Sequence, residues 1–164
     1  MVAMNFDDRL RQAIERGQKR SEILAREAAA KAWTEEEYRR LHSQLRLALS
    51  EHIESCLKRL PNYFPGFQYE TMYGDRGWGG ACFRDDLLIV RGNRTTNYSR
   101  LEVMIRPYTT LHVLDLAAKG TIRNREAFNR NYFEELATAD EPKFRELVDV
   151  WVLEYVELYS AQTA

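Results

Sequence analysis

The spacing of hydrophobic positions changes along this chain, and each change marks off a segment. From residue 5 to about 32, the stripe Leu10, Ile14, Gly17, Ser21, Leu24 and Ala28 falls at intervals of three or four, which predicts a helix. Asn5 is a good N-cap, and Asp7 and Asp8 suit the positive end of the helix dipole. The middle of the stripe is made of small residues, so it buries little area and lets another backbone approach closely. The remaining faces carry Arg, Lys, Glu and Gln.

Thr34 followed by Glu37 has the capping-box spacing and marks the start of a second helix, which ends near Leu60, before Pro61. Tyr38, Leu41, Leu45, Ala48, Leu49, His52, Ile53, Cys56, Leu57 and Leu60 give it a broad apolar face. Two arrangements fit residues 1–60. One is an antiparallel helical hairpin. The other is one long helix of about 55 residues, which at ~1.5 Å per residue spans ~80 Å. That length exceeds the width of a domain this size and calls for a partner chain, so the hairpin is expected.

Beyond Pro61 and Pro65 the period becomes two. Phe67, Tyr69, Thr71 and Tyr73 mark a first strand, and Gly74 to Gly80 reads as a turn. A second strand covers about Ala81 to Val90, with an interruption expected at Asp85-Asp86. A third runs from Asn97 to Arg106, with Leu101, Val103 and Ile105 inward and Arg100, Glu102, Met104 and Arg106 outward. A fourth covers Leu111 to Ala118. Short connections make residues 66–118 an antiparallel meander. Over 124–160 the helical period returns. Asn124 caps a short helix with Phe128, Tyr132, Phe133 and Leu136 on one face. Asp140 caps a longer one carrying Phe144, Leu147, Val148, Trp151, Tyr155, Leu158 and Tyr159, which covers the sheet. The expected fold is a single α+β domain over residues 1–164, with a four-stranded antiparallel sheet and C-terminal helices packed on it.

Composition changes this picture little. The chain has 164 residues, 45% of them hydrophobic, which is ample for a core and excludes a wholly disordered chain. The charge distribution says more than its total of −1. Residues 1–60 hold 12 basic and 10 acidic groups, residues 61–133 hold 10 and 7, and residues 134–164 hold 2 and 8. A mildly basic sheet region is therefore offset by an acidic C-terminal helix.

The two cysteines, Cys56 and Cys82, form no CxxC pair and no Cys/His cluster, so neither a disulfide nor a zinc site is expected. No cofactor is implied. The first ten residues include Asp7 and Asp8 and resemble no signal peptide, and no apolar run reaches membrane-spanning length. A cytoplasmic protein that does not engage membranes is the expectation.

Three functional readings follow. The first is a non-enzymatic protein-binding or adaptor module that self-associates, or binds a protein partner, through the N-terminal helices. Gly17, Ser21, Leu24 and Ala28 form its contact stripe, and an exposed Trp78 in the glycine-rich turn adds a second contact. The second is an anion or nucleic-acid binder in which Arg84, Arg100 and Arg106 share the sheet's outer face; their competing role is pairing with Glu70, Glu102 and Asp115. The third is a small enzyme with a site around Asp85, Asp86, Glu102, Arg106 and His112. His42 is placed on the polar side of its helix and His52 on the apolar side, as a core residue. The first reading is favoured.

Overall fold

The stretch from Ala28 to Glu37 contains no glycine or proline and is mostly Ala, Lys and Glu, the strongest helix formers. A computed structural model describes residues 5–163, and in it helix α1 runs unbroken as Phe6–Leu57. The expected hairpin over residues 1–60 is therefore not formed. Reversal requires a residue that stops the helix, and Thr34 with Glu37 is as compatible with a helix interior as with a start. Asn5 does cap α1, its Oδ1 accepting the Asp8 N–H at 2.9 Å. The chain divides into two units, Met1–Arg39 and Arg40–Ala164. In the first, every described side chain from Asn5 to Ala29 is exposed.

The second unit holds the core. After α1 comes a single helical turn, α2 (Leu60–Tyr63), begun by Pro61. Five strands follow: β1 (Gln68–Met72), β2 (Trp78–Val90), β3 (Asn93–Ile105), β4 (Val113–Ile122) and β5 (Arg125–Glu135). They pair in sequence order as an antiparallel meander. A short 3₁₀ turn, Leu136–Thr138, leads to α3 (Glu141–Thr163).

The fifth strand corrects the sequence reading, which made residues 124 onward a short helix. Arg123 and Asn124 instead have φ of 49° and 71°. Two adjacent residues in the left-handed region make a tight two-residue hairpin turn, and Asn tolerates that conformation better than most residues. The chain therefore returns along β4, with Leu116 opposite Tyr132 and Gly120 opposite Phe128. β2 also departs from expectation. It is continuous through Asp85 and Asp86, and it turns into β3 over Arg91 and Gly92, both at positive φ.

Alternation assigns the two faces of the sheet. Cys82, Leu101, Ile105, Leu114, Leu116 and Phe128 lie on the inner face and are buried. Against that face lie Phe144, Val148, Trp151, Val152, Tyr155 and Tyr159 of α3, and Leu49, Ile53 and Leu57 of α1, all buried. Polar tethers fix the layers. Tyr155 Oη donates to the Thr121 carbonyl at 2.8 Å, and the Cys82 thiol donates to the Leu57 carbonyl at 2.9 Å. Gly79 leaves no room for a side chain: a Cβ there would clash with the Val103 carbonyl oxygen.

Candidate functional site

The register decides which arginines share a face. Phe83 is opposite Arg100, and Arg84 is opposite Ser99, a buried inner-face residue. Arg84 therefore points away from Arg100 and Arg106, contrary to the set expected from sequence. Each of the three also has a carboxylate partner. Arg84 Nε lies 2.7 Å from Asp86, Arg100 Nη2 lies 2.8 Å from Glu70, and Arg106 Nε lies 3.5 Å from Asp115. Arg100 and Arg76 both stand 3.7 Å from the buried carboxylate of Glu102. An incoming phosphate would have to displace these carboxylates.

The acid and histidine set is dispersed. Asp85 lies four residues along β2 from Ala81, the cross-strand neighbour of Glu102, or about 13 Å at ~3.3 Å per residue. Asp86 is on the other face, paired with Arg84. His112 precedes β4 rather than lying within it, at φ 56°, and its ring neighbours Tyr108. His42 is buried rather than on a polar face, and its Nε2 donates to the Arg106 carbonyl at 3.1 Å. Burial lowers the pKa of this ring. The Arg106 bond opposes that shift and Arg46 reinforces it.

Trp78 is half-buried as the first residue of β2, and the Arg46 guanidinium lies 4.1 Å over its ring. Its face is thus occupied rather than free. Gly17, Ser21, Leu24 and Ala28 are all exposed. So are Phe6, Leu10, Ile14, Ile23 and Leu24, between 48% and 74%.

Sequence reasoning missed a second apolar surface. β1 pairs with β2 only as far as Phe83, and β4 pairs with β3 only as far as Arg100. From Asp85–Tyr98 to Val90–Asn93 the β2–β3 hairpin continues as a two-stranded ribbon. Its residues Leu87, Leu88, Ile89 and Val90 are 42% to 65% exposed, alternating between the two faces. In the sequence this run looks like a buried strand. Only the lengths of β1 and β4 show that, among the described residues, no strand lies beside Leu87 to Val90 except β3.

The most concentrated chemistry was also missed. His52 and Cys56 are four residues apart on α1, so they project from one helix face, and α3 brings Asp149 to meet them. Asp149 Oδ1 lies 2.8 Å from His52 Nε2 and accepts the Cys56 thiol at 3.3 Å, while Cys56 Sγ lies 3.7 Å from His52 Nε2. Burial first, and then the Asp149 carboxylate, push the Cys56 thiol up to about 11. As it stands the thiol is protonated, and it is a hydrogen-bond donor rather than a nucleophile. The i, i+4 spacing is legible in the sequence. Asp149, 93 residues from Cys56, carries no local signal.

No family model matches this chain, and neither curated proteins nor solved structures give a significant match. Among the described residues, no helix is long and apolar enough to cross a membrane.

Proposed function

We propose that this chain is a non-enzymatic protein-binding module that self-associates through its N-terminal helix. The observation that supports this is that every residue from 5 to 29 is exposed, including five large apolar side chains, on a helix that its own sequence strongly favours. Large apolar side chains left in water at coiled-coil spacing along one helix suit an interaction site. The seam Leu10, Ile14, Gly17, Ser21, Leu24, Ala28 alternates steps of four and three, the spacing of a coiled-coil contact.

A second copy of the same helix is the occupant that suits the seam best. Run antiparallel, Leu10 faces Ala28, Ile14 faces Leu24, and Gly17 faces Ser21, so the centre admits close backbone approach. The pairing of Arg84, Arg100 and Arg106 with carboxylates weighs against the anion-binding alternative, and the dispersal of Asp85, Asp86, Glu102, Arg106 and His112 weighs against a catalytic one. A reducing compartment, the cytoplasm, suits two free thiols.

The ribbon supports a second reading, in which Leu87 to Val90 form the docking element. Runs of four exposed apolar residues are errors of folding design unless they serve a function. Sedimentation of the full chain over a range of concentrations separates the two. If the helix is the interface, the joint change Leu10→Glu and Leu24→Glu yields a monomer with an unchanged near-UV spectrum, while Leu87→Lys with Ile89→Lys leaves assembly intact. The reverse pattern supports the ribbon. A wild-type chain that is monomeric at every concentration overturns both.

A further inference from the structure

The geometry points to a metal site at His52, Cys56 and Asp149, taking one zinc ion or a cation of similar softness such as cobalt(II) on His52 Nε2, Cys56 Sγ and an Asp149 carboxylate oxygen. Three donors from two helices converge on a common point, with separations of 2.8, 3.3 and 3.7 Å. Zinc bonds of ~2.3 Å to sulfur and ~2.0–2.1 Å to nitrogen or oxygen, at tetrahedral angles, place the donors about 3.4–3.6 Å apart. The sulfur therefore already stands at coordinating distance from both partners. Only the His52–Asp149 pair must open, by about half an ångström, as the ion replaces their hydrogen bond.

The alternative chemistry for a Cys, a His and an Asp is a nucleophile relay, and the contacts argue against it. In a relay the carboxylate holds one ring nitrogen while the nucleophile addresses the other. Here Cys56 and Asp149 both address Nε2 of His52. Such convergence on one atom suits ligation and leaves no nitrogen positioned to pass a proton onward.

The donor set also selects the ion. A thiolate with an imidazole favours zinc and related borderline-soft metals, and disfavours calcium and magnesium, which take oxygen ligands. The supporting helices are fixed, since Ile53 and Leu57 on α1 and Val148 and Val152 on α3 are buried on either side of the ligands. His52 and Asp149 have 21% and 50% of their side chains exposed, so an ion can enter from solvent. Three protein ligands leave the fourth position to water, the arrangement of an open rather than a closed zinc site. On binding, the Cys56 S–H bond breaks and its proton passes to solvent. Ligation through Nε2 leaves the ring proton of His52 on Nδ1. Thiolate and carboxylate then balance the dication.

The test is titration of the tag-free full chain with cobalt(II), followed by absorption. One equivalent is expected to give a thiolate-to-cobalt charge-transfer band with tetrahedral ligand-field bands, both abolished by stoichiometric zinc. Cys56→Ser removes the charge-transfer band. Asp149→Asn, at an exposed position that leaves the fold intact, weakens binding by about 100-fold or more, beyond what losing an outer hydrogen-bond partner costs. Zinc raises the thermal midpoint of wild type but not of Asp149→Asn. Absence of the bands, their survival in Cys56→Ser, or an equal zinc shift in Asp149→Asn overturns the assignment.

Discussion

Asn124 and Tyr98 hold each other through two hydrogen bonds, although they belong to different hairpins. The Asn124 N–H donates to the Tyr98 carbonyl at 2.8 Å, and the Tyr98 N–H donates to Asn124 Oδ1 at 2.8 Å. The side-chain amide also donates to the Thr96 carbonyl at 2.7 Å. One turn residue thus extends the β3–β4 ladder past the point where regular pairing stops, and it does so at φ 71°.

This relationship predicts the behaviour of Asn124→Ala. The substitution places a Cβ-bearing residue without local hydrogen bonding in the left-handed region, at ~1–2 kcal/mol, and leaves the Tyr98 N–H without its acceptor. The expected loss in urea unfolding is about 2–4 kcal/mol with an unchanged m-value. Asn124→Gly keeps the turn but not the side-chain bonds, and should lose less. Equal losses for the two would mean that backbone conformation contributes nothing.

Asn124 also shows why the sequence was misread here. Capping a helix and occupying a left-handed turn are both favoured by Asn, and Phe128 with Tyr132 satisfies helical and strand spacing alike. Alternation was obscured by Arg130, which lies on the inner face between those two aromatics. It is accommodated there because its guanidinium spans Glu154 at 2.7 and 3.2 Å and lies 4.4 Å over the Phe128 ring. Strands β1, β3 and β4 are legible because their charged residues lie on the outer face, whereas in β2 Arg84 and Asp86 lie on the inner face, paired with each other. Leu101, Val103 and Ile105 are buried on the inner face as expected, but Glu102 and Met104 on the opposite face are buried as well. Arg84 misled because the face it shares depends on where β2 and β3 register, which no local pattern encodes. The His52–Cys56–Asp149 cluster was half legible, through its helical spacing, and half a product of how α1 meets α3.

His42 predicts a specific acid sensitivity. Its ring is held neutral and its pKa falls below the ordinary 6.5, first by burial and then by Arg46, against the opposing effect of the Arg106 carbonyl. The unfolded chain takes up this proton near 6.5 while the folded chain resists until lower pH. In that window the unfolded state binds more protons, so stability rises with pH. The contribution is fully present above 6.5 and is lost as pH falls toward the folded value. His42→Gln keeps a donor for Arg106 and does not titrate. Urea midpoints between about pH 5 and 8 should fall less steeply on acidification in this variant. Parallel profiles would show that His42 is not the sensor.

Tyr155→Phe isolates one tether between α3 and the sheet. The ring is fully buried, and its hydroxyl donates to the Thr121 carbonyl at 2.8 Å. Removing the hydroxyl keeps the packing and takes this donor from the Thr121 carbonyl, so a loss of about 0.5–1.5 kcal/mol is expected. Phe144→Ala, which empties a fully buried position on the same helix, should cost more, about 3–5 kcal/mol. If the two losses are similar, the cavity at position 144 collapses on mutation. Solvent-exchange protection of the β4 amides would then remain at its wild-type level.

Two glycines predict effects of opposite sign. At Gly17 an added Cβ meets nothing within 4 Å, and the residue lies inside a helix. In the monomer at high dilution Gly17→Ala should therefore stabilise that segment by about 1 kcal/mol, read as raised helicity and slower amide exchange over residues 5–29. At concentrations where two copies pair, the added methyl instead crowds the Gly17–Ser21 approach and weakens assembly. At Gly79 the Cβ would clash with the Val103 carbonyl oxygen and lie 2.7 Å from Met104 Cα, and backbone cannot swing aside as a side chain can. Gly79→Ala should force β2 and β3 apart and cost at least the ~1–3 kcal/mol typical of overpacking. It should also lower the urea midpoint of the whole sheet-bearing unit. If Gly17→Ala instead lowers helicity, the N-terminal helix has a partner at that position, and the close approach proposed for the seam is already formed in the free protein.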